Sequence, residues 1–169
     1  MMSATVFDSE ASLDERRGII RRVGHDVEMV ELRWGLKPRE NGGRPFTVVR
    51  AEGRAFPDHR CPVPASEFRH RSHGKNYSFR LQSGDFFYFA GIWCPATQGW
   101  PESYATLTTA ANEDVEAYHD RQMAVLRRDQ RMAWLDMTVP EDQLLVLQPR
   151  GSFHVSRLRD FHAQAAFAF

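Results

Sequence analysis

The sequence predicts one α+β domain in which strands dominate and helices are few and short. Two observations predict it. The longest apolar runs, Phe86-Phe87-Tyr88-Phe89-Ala90 and Leu144-Leu145-Val146-Leu147, are strand-length. Nine prolines and the glycine-bearing turns cut the 169 residues into short segments. At 42% hydrophobic and 26% charged the composition is globular, and the length suits a single domain over residues 1–169 with a real core.

Taken in order, Ser12 to Arg22 has its acids early (Asp14, Glu15) and its arginines late, which suits a short helix and its dipole, ended by Gly24. Val27 to Trp34 alternates as a strand. Pro38 to Pro45, with Asn41-Gly42-Gly43, is a loop, and Phe46 to Arg50 is β-branched and extended. Arg60-Cys61-Pro62-Val63-Pro64 can extend, but its prolines confine it to an edge or an irregular path. A polar stretch ending in Gly74-Lys75-Asn76 makes a hairpin-like connection. Tyr77 to Leu81 and Phe86 to Trp93 read as strands paired around Ser83-Gly84-Asp85. Tyr104 to Thr109 is a strand, and Asn112 caps one helical turn. Met123 to Leu126 is a short strand. Asp129 to Met137 is a helix burying Met132, Trp134 and Leu135, stopped by Pro140. Leu144 to Leu147 and Phe153 to Val155 are late strands.

The formal net charge is zero, which argues against a generic polyanion binder. Its distribution is uneven: residues 31–80 carry eleven Lys/Arg against five Asp/Glu, while both flanks are acidic. Folding could gather the basic segment into a phosphate-binding face or scatter it over a solvated surface. Two cysteines, Cys61 and Cys94, make no disulfide framework and suit a reducing compartment. The start lacks the pattern of a signal peptide, and no apolar run reaches the roughly 18 residues of a membrane span. These features predict a soluble, cytoplasmic protein with no membrane partner.

Function enters through short motifs. Arg33-Trp34-Gly35-Leu36 looks like an RWGL segment, and Arg50-Ala51-Glu52 is similar to the RAE of NARAET. Arg60-Cys61-Pro62-Val63-Pro64-Ala65 followed by Phe68 resembles RCLVPADGF. Phe89-Ala90-Gly91-Ile92-Trp93 looks like FAGLW, and Leu107-Thr108-Thr109 with Asn112 resembles LTTEAN. His119-Asp120-Arg121 with Val125-Leu126 is similar to HDRMPVIL, and Ala133-Trp134-Leu135-Asp136 closes the series. These blocks, in this order over residues 31–137, resemble the SOS response-associated peptidase (SRAP) family of abasic-site DNA-binding proteins.

The resemblance implies a compact, predominantly antiparallel β domain, curled or barrel-like, that grips single-stranded DNA bent at an abasic site. In the family an N-terminal cysteine supplies amine and thiol together and closes a thiazolidine on the sugar aldehyde. An Asn, a Glu and a His complete the pocket. This sequence departs from that set. Position 2 is Met2, Val48 stands at the Asn position and His70 at the Glu position, with Glu67 three residues earlier as a partial substitute. Only His119 matches plainly. The catalytic positions, vestigial or altered, are therefore His119, His70 and Glu67. The DNA-contacting positions are Trp34, Arg50 and Arg121, with the tryptophan core and the arginines loop anchors on the structural alternative. Glu52 and Asp120 could orient neighbouring groups. Cys61, His70 and His73 have a zinc-like spacing but no fourth ligand, so no metal and no cofactor is expected.

Three readings follow: a divergent SRAP protein that binds single-stranded or abasic DNA without crosslinking; an altered abasic-site enzyme forming an imine through the Met1 amine with His119 assisting; or a scaffold for a protein partner. The short, divergent form is consistent with a phage or other mobile element. Self-processing, which the peptidase label implies, lacks a nucleophile here.

Overall fold

The computed structural model describes residues 16–159 in full and the backbone of residues 5–7. Met1 and Met2, and with them the imine expectation, lie outside the described residues. The strands are β1 (Thr5–Phe7), β2 (Arg16–Val23), β3 (Asp26–Trp34), β4 (Val48–Arg50), β5 (Arg60–Ser72), β6 (Lys75–Leu81), β7 (Phe87–Cys94), β8 (Ser103–Ala110), β9 (Arg121–Met123), β10 (Val125–Leu126) and β11 (Phe153–Leu158). Three short helices, α1 (Glu113–Glu116), α2 (Arg131–Leu135) and α3 (Glu141–Leu144), join them.

All these strands belong to one sheet, whose main path runs β11-β6-β5-β7-β8-β3-β2. Pairing is mostly antiparallel; β1 on β5, and β3 and β4 on β8, are parallel. The path has two ends, so the sheet curls, with β2 packed back against β5, without closing into a barrel.

The sheet is buried on both faces at its centre. On β7, Phe87 and Phe89 enter one core with Phe68, Phe79 and Trp34, while Tyr88 and Ala90 enter a second with Leu107, Leu126 and Trp134. That is why Phe86 to Ala90 reads as an unbroken apolar run rather than an alternation. Gly91 follows, flanked by Cys61 on β5 and Thr106 on β8. A Cβ there would sit 3.0 Å from the Cys61 carbonyl oxygen and 3.1 Å from that of Ala105. Backbone on both sides cannot step aside, so Gly91→Ala is expected to cost about 1–3 kcal/mol by overpacking, read as a lowered urea midpoint. An unchanged midpoint would mean the strands can spread. The buried Arg60 braces the second core, donating to the Phe56 and Val139 carbonyls and pairing with Glu141 at 2.8 Å beneath the Trp134 ring.

Several segments depart from the sequence reading. The helix expected over Ser12–Arg22 is strand β2 from Arg16 onward, in full register with β3 from Arg16↔Arg33 to Val23↔Asp26. Arg17, Ile19 and Arg21 face inward at alternate positions, and this period of two outweighs the helix-like order of charges. Gly24, at φ 61°, closes the turn between β2 and β3.

β6 and β7 do not pair with each other; β5 lies between them, bonded to β7 through Arg60–Ala65 and to β6 through Phe68–Ser72. His73 and Gly74, at φ 49° and 75°, form the two-residue β5–β6 turn. The prolines of β5 miss no bond. Pro62 lies opposite Ala90, whose own N–H goes to the Ala124 carbonyl, so at this pair the backbone nitrogens point away from the shared ladder.

In α2, which begins at Arg131 after a separate 3₁₀ segment (Arg128–Gln130), Trp134 and Leu135 are buried but Met132 is 42% exposed. Leu144–Leu147 is no strand: Leu144 ends α3, and Val146 and Leu147 are exposed.

Candidate functional site

β8 carries the candidate site. Val48 lies opposite Thr106 and Arg50 opposite Thr108 on one side, while Arg121 lies opposite Ala110 on the other. Register partners share a face of a sheet, so Val48, Arg50, Thr108 and Arg121 look the same way. His119 adjoins Arg121, and His70 of β5 stacks on His119 with ring centroids 4.5 Å apart and planes 14° from parallel. The result is a continuous row: Arg50, Thr108, Arg121, His119, His70.

α1 delivers His119. Asn112 caps it by accepting from the Asp114 and Val115 N–H groups, and the chain leaves through the Val115 carbonyl, which accepts from His119 N–H. The His119 Nδ1 accepts the Arg121 N–H at 3.0 Å and stands 3.3 Å from Asp120 Oδ1. Nε2 makes no hydrogen bond among the described residues and is the group available to a ligand.

His70 differs. Burial, and then the proximity of His119, push its pKa down to about 4, so at neutral pH it is uncharged. Its Nε2 is buried without a hydrogen-bond partner among the described residues. Around it stand Phe68 and Phe79, with Tyr118 against Phe79 and Tyr77 against Tyr118. Tyr77 and Tyr118 escaped the sequence reading. The signals were present, since Tyr118 directly precedes His119 and Tyr77 shares the period of Phe79.

Arg121 is heavily committed. It donates to both oxygens of Glu52, at 2.6 and 2.9 Å, and at 2.9 Å to the carbonyl and hydroxyl of Thr108. Glu52 also accepts the Ala110 N–H at 2.8 Å. The Arg121 hydrogen bond outweighs the opposing effect of burial and holds the Glu52 pKa at about 2. Glu52 therefore orients Arg121, as expected. Arg50 is exposed and faces solvent.

Two expectations do not fit this geometry. Glu67 cannot serve the histidine pair, because side chains alternate along β5 and Glu67 lies on the face opposite Phe68 and His70. It is buried, bonded by Ser78 and paired with Arg69 and Arg80 at 3.2 and 3.1 Å. Burial raises its pKa, but those partners outweigh it and leave the carboxyl below its ordinary range. Trp34 is 1% exposed and donates from Nε1 to the Thr47 carbonyl at 2.9 Å. Its ring belongs to the core, and no face is open to a base.

Fold and site together define a curled β domain that presents a row of basic and imidazole side chains across one strand. The chain belongs to the SOS response associated peptidase (SRAP) family, whose model matches residues 14–159. Membership supports a DNA-damage-associated function of SRAP type. Among solved structures it is similar to a protein from Bordetella bronchiseptica, at 19% identity and a TM-score of 0.70, over 92% of each chain. A protein from Bacteroides thetaiotaomicron matches at 18% identity and 0.67, over 89% of this chain and 77% of that one. A phage-related protein from Bordetella bronchiseptica matches at 19% and 0.63, over 87% and 79%. These likenesses concern the fold alone. No curated protein matches the chain. No helix among the described residues is long and apolar enough to cross a membrane.

Proposed function

We propose that this protein binds single-stranded DNA, including DNA with an abasic site, across the row from Arg50 to His70, and forms no thiazolidine with it. The exposed Arg50 beside Arg121 and His119 on one face of β8 is the observation that carries the reading. Arginines hold phosphates there, and His119 offers a free Nε2 to a sugar or phosphate oxygen. The crosslink needs a thiol and a free amine on one residue. Cys61 and Cys94 lie inside the chain, where the nitrogen is an amide, and burial pushes both thiols up in pKa. Val48 and the uncharged His70 replace the polar groups that would position the sugar.

The test is a titration of intact and abasic single strands at low salt, followed on denaturing gels with and without borohydride. Binding without a heat-stable adduct is the expected result. Arg50→Gln should weaken it and flatten the dependence of log K on log salt by about 0.7, one phosphate contact on a single strand. No binding at low salt would overturn the DNA reading. An adduct stable without borohydride would overturn the loss of crosslinking, and one trapped only by borohydride would reveal imine chemistry.

A further inference from the structure

A second feature lies just past β10, the strand that follows β9 and its Arg121. β9 and β10 run from Arg121 to Leu126, and Arg127 and Arg128 follow at once. The rise of an extended chain puts about 20 Å between Arg121 and Arg127. There a cleft of about 480 Å³ opens between the Ser83-Gly84-Asp85 turn and the 3₁₀ segment. Phe86, 36% exposed, forms one wall, and the Arg128 guanidinium lies 4.6 Å from its ring centroid. Arg127 and Arg128 are exposed, and neither enters an ion pair among the described residues. Gln148 and Ser152 add polar groups to the lining, and Asp85 and Asp129 add two carboxylates.

We infer that this cleft is a second contact for the bound single strand, taking one nucleobase against the Phe86–Arg128 stack while Arg127 holds the adjoining phosphate. This rests on the DNA reading above and extends it to the path of the strand beyond the histidine row. The chemistry selects a nucleotide over a bare anion. Asp85 and Asp129, both exposed in the lining, repel a phosphate but accept hydrogen bonds from a base's exocyclic amine. A guanidinium laid over a ring, and in no ion pair among the described residues, presents a flat stack that takes any base. The phosphate is left to Arg127, the exposed arginine that lies over no ring among the described residues.

The experiment compares Phe86→Leu, which keeps the apolar bulk and loses the ring, with Arg127→Gln on a single strand long enough to cover both places. Phe86→Leu should weaken binding roughly tenfold with the salt slope unchanged, since stacking does not release counterions. Arg127→Gln should lower the slope by about 0.7. If the wild type binds and both variants match it in affinity and slope, the second contact is overturned while the DNA reading stands. If the wild type binds no strand at all, the DNA reading falls and takes this one with it. A free mononucleotide that saturates the wild type but not Phe86→Leu, with strand binding equal in the two, would make the cleft a nucleotide pocket and overturn the path.

Discussion

Trp34→Ala is expected to destabilise the fold by about 3–5 kcal/mol, the usual cost of deleting a large buried aromatic side chain. For a chain of this size the melting temperature should fall by roughly 6–20 °C. Trp34 is among the largest fully buried side chains, packed with Leu32, Tyr104 and Ile19 in the first core. Removing the ring leaves a cavity and also takes one donor from the Thr47 carbonyl, which keeps the N–H and hydroxyl of Thr106. The consequence for DNA is the informative part. Measured well below the melting temperature, affinity for a single strand should stay within about twofold of the wild type, because stacking needs an accessible face. Thermal unfolding and a low-temperature titration on the same preparation check both halves. An intact melting temperature with lost affinity would show that the indole reaches DNA after all, and would return Trp34 to the binding surface.

Trp34 also shows where sequence reading reaches its limit. The motif around it marks the family correctly, yet a tryptophan that ends a strand looks the same from sequence whether it stacks on a base or fills a core. Only the curl of the sheet, which folds β2 back over β5, decides. The same applies to Glu67. Three residues from His70 looks close in a list, but an odd spacing along a strand places the two side chains on opposite faces. Conversely, the features set by local chemistry were legible: the Asn112 cap and the Gly74 turn. β2 was misread because its four arginines obey a charge order that suits a helix. The partners that hold two of them inward, Glu28 and Glu102 for Arg21 and the Trp34 ring for Arg17, come from β3 and from other parts of the chain. Likewise the stacking of His70 on His119 joins residues 49 positions apart, which no spacing rule could bring together.

That stacked pair yields the second large effect, a loss of stability in mild acid. Unfolded, His70 takes up a proton near its ordinary pKa of 6.5; folded, it resists until about 4. Between those values the unfolded chain holds more protons, so stability falls as pH falls. The contribution is fully present above 6.5 and is lost progressively as pH drops toward 4, at roughly 3 kcal/mol in total. The paired carboxylates act lower. Glu52, held at about 2, and Glu67, Asp114 and Glu141, each below its ordinary value, give up stability as pH falls through the ordinary carboxylate values and below. His70→Phe separates the two windows. It keeps the aromatic contacts with Phe68 and Phe79, removes a buried nitrogen that has no partner among the described residues, and cannot titrate. Urea midpoints between pH 6.5 and 4.5 should decline for the wild type and stay nearly level for the variant, which should be no less stable at neutral pH. Parallel declines would mean that His70 is not buried as a neutral base. DNA affinity at neutral pH should hardly respond to His70→Phe, since an uncharged, half-buried imidazole attracts no phosphate; in this row that attraction belongs to the arginines, Arg50 foremost.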